Sequence, residues 1–191
     1  MSKILPVFLF ATLASLSVPL CSGAADTATP KNEPNTNPAA NKHFAAAQLI
    51  SKSNSHVQGT IQFYAENDGV RVVGIVTGLT PGAHGFHVHD KGDCSAPDAS
   101  SAGGHFNPYH TAHGGPAAAE HHAGDLGNIT ADDTGRVEIN VFSHDLALSG
   151  ENSIVGKSVV IHAAADDLKT NPAGNSGARI ACGPIEEVVN K

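Results

Sequence analysis

Histidine outnumbers lysine and arginine together in this 191-residue chain, twelve against eleven, and eight of the twelve fall between His84 and His122. Imidazole nitrogens at that density are the raw material of a transition-metal site. The sharpest cue is Gly85-Phe86-His87-Val88-His89. On a strand, residues two apart share a face, so His87 and His89 project together while Phe86 and Val88 point the other way. With Phe86 and Val88 in a core, the two imidazoles stand on the outside of the sheet, aimed at one ion. Downstream follow His105, His113, His122, Asp125 and His162, giving His-x-His-x15-His-x7-His-x8-His-x2-Asp-x36-His. Three histidines with one aspartate suit a closed, structural zinc shell. Four imidazoles suit copper, which heads the divalent affinity order at nitrogen sites and changes oxidation state. Seven donors fill two four-donor shells only if one histidine serves twice, through both ring nitrogens.

Short antiparallel strands must hold these donors in place. Residues 56–63 alternate, with Val57, Ile61 and Phe63 on one face. Asp68-Gly69 is a turn signal before a second strand over residues 70–79. Thr80-Pro81-Gly82 turns the chain into a strand over 83–89, and Asp132-Asp133-Thr134-Gly135 into one over 136–142. Residues 158–162 and 178–185 complete the set. With 20 Gly, 11 Pro, no Trp and aromatics at 5%, the core is built from small and β-branched residues joined by turns. No long amphipathic helical stripe is present, so the fold class is all-β, a sandwich or barrel. Residues 91–120 and 163–177 lack strand periodicity, and irregular segments of that length carry function.

Residues 1–25 read as a signal peptide: Lys3 gives a positive start, residues 4–16 are apolar but for Pro6, Thr12 and Ser15, and Ala25 is a cleavage point. Attachment of lipid at Cys21 is the alternative, although Leu20 before it is bulky for such a site. Residues 26–43, with three Pro and four Asn before His43, cannot bury enough apolar surface to order and read as a disordered tether. The functional domain occupies 44–191. The formal charge is −7, and removal of residues 1–25 takes away one lysine and no acid, leaving −8. With no basic run anywhere, nucleic acid is excluded as a partner.

Five stretches together resemble the copper/zinc superoxide dismutases, in the bacterial exported form. They are Gly85-Phe86-His87-Val88-His89, Gly104-His105-Phe106-Asn107-Pro108, His113-Gly114-Gly115-Pro116, His122-Ala123-Gly124-Asp125-Leu126-Gly127-Asn128 and the run from Gly174 to Gly183. The resemblance implies a Greek-key β-barrel of about eight antiparallel strands with two long functional loops. It implies copper on His87, His89, His105 and His162, and zinc on His105, His113, His122 and Asp125, with His105 shared. It further implies Asp166 as the carboxylate linking a copper histidine to a zinc histidine, a Cys94–Cys182 disulfide, and Arg179 attracting the anionic substrate with help from Lys169. The implied reaction converts two superoxide anions to dioxygen and hydrogen peroxide by redox cycling of one copper beside one structural zinc, with Arg179 and His105 as the catalytic side chains. It serves antioxidant defence outside the cytoplasm, the periplasm above all.

Other histidines fall outside that pattern. His84 shares the parity of Phe86 and Val88 and is expected to face inward, bonded to backbone. His43, His56, His110, His121 and His144 are expected to face solvent. The stretch from Cys94 to His105 is longer than in eukaryotic cytosolic members and resembles the bacterial exported ones. Ile154-Val155-Gly156 resembles the eukaryotic dimer patch, which points to a homodimer.

Overall fold

The computed structural model describes residues 44–188. The signal peptide and tether expected over residues 1–43 lie outside them. Among the described residues the chain forms ten strands in two five-stranded sheets. These are β1 (Phe44–Gln48), β2 (Ile50–Ser51), β3 (Gln58–Glu66), β4 (Gly69–Thr77), β5 (Gly82–His89), β6 (Asp125–Ala131), β7 (Val137–Ser143), β8 (Ser158–His162), β9 (Arg179–Pro184) and β10 (Glu186–Val188). The first sheet runs β10-β1-β3-β4-β7 and the second β2-β9-β8-β5-β6, with every pairing antiparallel. The all-β expectation holds. Ten strands stand where about eight were expected because two of them bend at barrel corners. β1 and β2 are one stretch that changes sheets at Leu49, and β9 and β10 another that changes at Ile185. Both corner residues are buried.

Alternation explains the core. Ile61 and Phe63 of β3 and Val70, Val72 and Val76 of β4 are fully or almost fully buried, while Gln58, Thr60 and Ile75 face out. Asn67 and Asp68 make the two-residue turn between Glu66 and Gly69, which fixes the register of that hairpin. Phe86 and Val88 of β5 enter the same core, each at 0% exposure. Burying a side chain such as Phe86 stabilises the fold by about 1.5–3 kcal/mol. That anchorage sends His87 and His89 to the opposite face of the second sheet.

That opposite face is not open to solvent. Every residue from His84 to His89 is buried, because the two irregular segments fold back across it. Val88 N–H donates to the Gly124 carbonyl, Gly124 N–H to that of Phe106 and Phe106 N–H to that of Val88, all at 2.8–2.9 Å, and Gly85 N–H donates to the Ala164 carbonyl at 2.9 Å. Gly124 sits so close to the Val88 carbonyl that no side chain fits there. The register of β5 against β6 shifts between Gly85 and His87, placing His87 opposite Asp125.

Candidate metal centre

β5 supplies His87 and His89, the end of β8 supplies His162, and a bridge between the loop and β5 sets His105 beside His89. In this group each residue offers one donor atom within 4.8 Å of the others, and all four side chains are buried. His105 also belongs to a second group of the same closeness, with His113, His122 and Asp125. Asp125 opens β6, and His113 and His122 come from the preceding loop. The seven donors of the sequence pattern therefore lie in two clusters with one ring in common.

The hydrogen bonds show which ring atoms are spoken for. His89 Nδ1 lies 3.0 Å from the Gly103 carbonyl and His162 Nδ1 lies 3.3 Å from that of Gly177. His87 Nε2 lies 2.7 Å from Asp166 Oδ2. The remaining nitrogens, His87 Nδ1, His89 Nε2, His105 Nε2 and His162 Nε2, are buried and lack any hydrogen-bond partner. Four converging, desolvated, unpartnered imidazole nitrogens are costly unless an ion takes them. Four neutral nitrogens suit copper.

In the second cluster a carboxylate stands in place of the fourth imidazole. Asp125 Oδ1 lies 2.7 Å from His105 Nδ1 and 3.2 Å from His122 Nδ1, while Oδ2 lies 3.1 Å from His113 Nδ1. His113 Nδ1 nonetheless has no partner in hydrogen-bond geometry. Oδ2 accepts N–H bonds from Gly114 and His122 at 3.2 and 2.8 Å. Burial would raise the Asp125 carboxyl, but the bonds from His105 and His122 outweigh it and hold it well below the ordinary carboxylate range. Three nitrogens and one anionic oxygen with no open position fit zinc.

Asp166 joins the clusters. Its Oδ2 meets His87 and its Oδ1 lies 3.0 Å from His113 Nε2, so one buried carboxylate orients a ring from each group. Asp167, the neighbouring register, instead bonds Thr170 and Asn175 within its own exposed loop. Asn128 holds the Asp166 backbone from both sides, donating from Nδ2 to its carbonyl at 2.9 Å and accepting its N–H at 2.7 Å. Asn171 accepts the His113 N–H at 2.9 Å. Pattern alone assigns neither asparagine a role. The position of Asn128 three residues after Asp125 is the available signal.

Gly174 is the tightest point of this arrangement. It has a left-handed φ of +61°, and a Cβ built there overlaps the Asp166 carboxyl and comes 2.8 Å from His113 Nε2. Gly174→Ala is expected to push Asp166 off His113 and weaken zinc binding by about 10–100-fold, the usual cost of losing a ligand's hydrogen-bond partner. Titration against a competing zinc chelator measures it. Unchanged affinity would show that the carboxylate does not orient the ring.

Arg179 opens β9, half-buried, and donates from Nη1 to the Ala99 carbonyl at 2.7 Å. Its charge contributes to the lowering of both His89 and His162, which places it beside the four-histidine cluster. Lys169 is exposed and belongs to neither cluster. Cys94 and Cys182 are joined by a disulfide. His84 is buried with Nδ1 2.8 Å from the His162 carbonyl and Nε2 2.9 Å from that of Thr80, outside both clusters. His56, His110 and His144 are exposed, whereas His121 is half-buried, with Nδ1 3.0 Å from the Ala118 carbonyl and Nε2 3.2 Å from Asp145. A turn that ties down the loop draws His121 inward, against the expectation of a solvent-facing ring. His43 lies outside the described residues.

The metal-free protein carries a pH signature. Burial lowers His105 to about 4 and His162 to about 3, and drives His89 well below its ordinary value. Between those values and about 6.5 the unfolded chain binds protons that the native one refuses, so native stability falls as pH falls through that window. Melting temperature of the chelator-stripped protein should drop from pH 7 to pH 5 at fixed ionic strength. A rise would contradict the buried neutral rings.

A family model described as copper/zinc superoxide dismutase (SODC) matches residues 57–185. Superoxide dismutase [Cu-Zn] 2 of Mesembryanthemum crystallinum is 44% identical over 146 residues, covering 73% of this chain and 93% of its own. Extracellular superoxide dismutase [Cu-Zn] of Brugia pahangi is 41% identical over 153 residues, covering 75% and 76%. Among solved structures, the clock protein EA4 superposes with a TM-score of 0.70 at 41% identity, covering 76% of this chain and 94% of that one.

Proposed function

The chain belongs to the copper/zinc superoxide dismutase family, an oxidoreductase with copper and zinc as cofactors and superoxide as substrate, and from that premise we propose how its residues divide the work. His87, His89, His105 and His162 hold copper; His105, His113, His122 and Asp125 hold zinc. The observation that carries this assignment is the pair of buried four-donor clusters sharing His105. Copper, when bound beside structural zinc, supplies the one-electron exchange by which two superoxide anions and two protons become dioxygen and hydrogen peroxide. Arg179 offers a half-buried cation to the incoming anion, local attraction that a chain of net charge −7 otherwise lacks. Lys169 adds a second, exposed cation. His105 turns Nδ1, the nitrogen beside Asp125, toward the zinc donors and presents Nε2 as the atom that takes up and releases a proton; a ring held at Nδ1 by zinc would return to the same place.

The finer attributes rest on separate support. Export follows from the signal-peptide pattern of residues 1–25, and a similar protein is extracellular. The bacterial exported type and the periplasm rest on the long segment between Cys94 and His105, and a lipid anchor on Cys21. A homodimer rests on Val155 and Gly156, since Ile154 is fully buried and has no face to offer a partner. Superoxide consumption by the purified protein before and after chelation, with copper and zinc returned separately, tests the division of roles. Zinc alone should restore nothing and copper should restore turnover. Restoration by zinc alone would misplace the reactive ion.

A further inference from the structure

The guanidinium of Arg179 leans on one carbonyl, that of Ala99, so its position depends on two backbones: its own on β9 and that of the 94–105 segment. Both are tied to the same short turn after β2. Lys52 N–H donates to the Ile180 carbonyl at 2.9 Å, Ser53 Oγ to the Arg179 carbonyl at 2.9 Å and Ser55 Oγ to the Ile180 carbonyl at 2.5 Å. From the same turn, Ser53 N–H donates to the Pro97 carbonyl at 2.9 Å and the Lys52 ammonium donates to the Cys94 carbonyl. Ser53 and Asn54 hold left-handed φ values of 50° and 58° that side chains rarely adopt, which lets the turn reach both. Lys52 is 8% exposed and its ammonium meets no carboxylate among the described residues. A buried ammonium on a lone carbonyl is a poor source of stability. What it accomplishes is geometric.

We infer that Lys52 and Ser53 form a clasp that sets the Arg179 guanidinium, with Lys52 as a positioning residue for the incoming anion. The clasp holds the strand that carries Arg179 and the segment that carries its acceptor at a fixed separation. The disulfide makes a covalent link between the same two segments three residues further along β9, at Cys182, where Ala99 packs against it, and the clasp adds a polar tie at Pro97, two residues before Ala99. The steering consequence rests on the role proposed for Arg179 above; the placement itself does not.

The test uses the full copper- and zinc-loaded chain as wild type, Lys52→Met, Lys52→Arg and Ser53→Ala. Methionine keeps most of the apolar stem of Lys52 and removes the ammonium, donor and charge together, while Ser53→Ala removes a donor with no change of charge. Labelling by phenylglyoxal, a dicarbonyl specific for arginine, is read at Arg179 by peptide mass, with Arg71 and Arg136 as internal references. Lys52→Met and Ser53→Ala are expected to speed labelling at Arg179 by about threefold to tenfold, the effect of releasing one hydrogen bond. Lys52→Arg should stay near wild type, and the references should not move. Superoxide consumption by Lys52→Met should fall by a similar factor and lose part of its ionic-strength dependence. Labelling of Arg179 at the wild-type rate in both donor-removing variants overturns the clasp, and Ser53→Ala alone decides if Lys52→Met does not fold. A wild type that consumes no superoxide would sink the dismutase assignment while leaving the labelling comparison intact.

Discussion

Substituting alanine for His89 is expected to abolish superoxide turnover while zinc stays bound. His89 contributes one of the four unpartnered nitrogens, Nε2, and its other nitrogen is fixed by the Gly103 carbonyl. It has no place in the second cluster, whose donors are His105, His113, His122 and Asp125. Removing it leaves three imidazoles in the first cluster. Loss of a ligand exceeds the roughly 10–100-fold that loss of a ligand's hydrogen-bond partner costs, so turnover should fall by more than about 100-fold. Elemental analysis read together with superoxide consumption checks both halves. Retained turnover would mean that copper is held elsewhere, and lost zinc would mean that the two clusters do not load separately.

The second large effect is on stability. Cys94→Ser with Cys182→Ser opens a covalent loop spanning 88 residues. In the chain-entropy account that closure is worth about 4–5 kcal/mol. For a domain of this size the loss should lower the melting temperature by roughly 10–20 °C. The cysteines pack with Ala99, Ala102 and Val160 in a small cluster apart from the main core, so little else compensates. Calorimetry of the metal-loaded variant against wild type measures it. A shift of only a few degrees would mean that the irregular segment is secured mainly by its hydrogen bonds and the metal ligands within it.

Much of this architecture could be read from residues in advance, and the exceptions have physical causes. The parity of Phe86 and Val88 fixed the inner face of β5, because strand geometry is a local property; the histidine spacing supplied seven donors and the need to share one ring, while their division into two sets came only with the family resemblance. β1 was not legible: Phe44-Ala45-Ala46-Ala47-Gln48 has weak strand propensity, and its pairing with β3 and β10 creates the strand. β6 was hidden for a similar reason, since Gly127 at φ 78° and polar Asn128 interrupt any alternation. The sequence also placed His87 and His89 on an outer face without showing that loops cover it. That cover depends on Asn128, Asn171 and Gly174 reaching across the fold, contacts separated by tens of residues. Lys52 carried no signal at all, because a lysine in a polar turn reads as solvated until its ammonium is seen below the surface.

Every donor and its supporting carboxylate comes from the β5-β6-β8-β9 side or the loops laid over it; the sheet β10-β1-β3-β4-β7 contributes none. One wall of the barrel is thus chemically silent ballast. Substitutions along its outer surface, at Gln58, Thr60, Gln62 or Ile75, touch no metal donor. Reporter groups, surface tethers or altered charge can be grafted onto that wall with the redox machinery left as it stands.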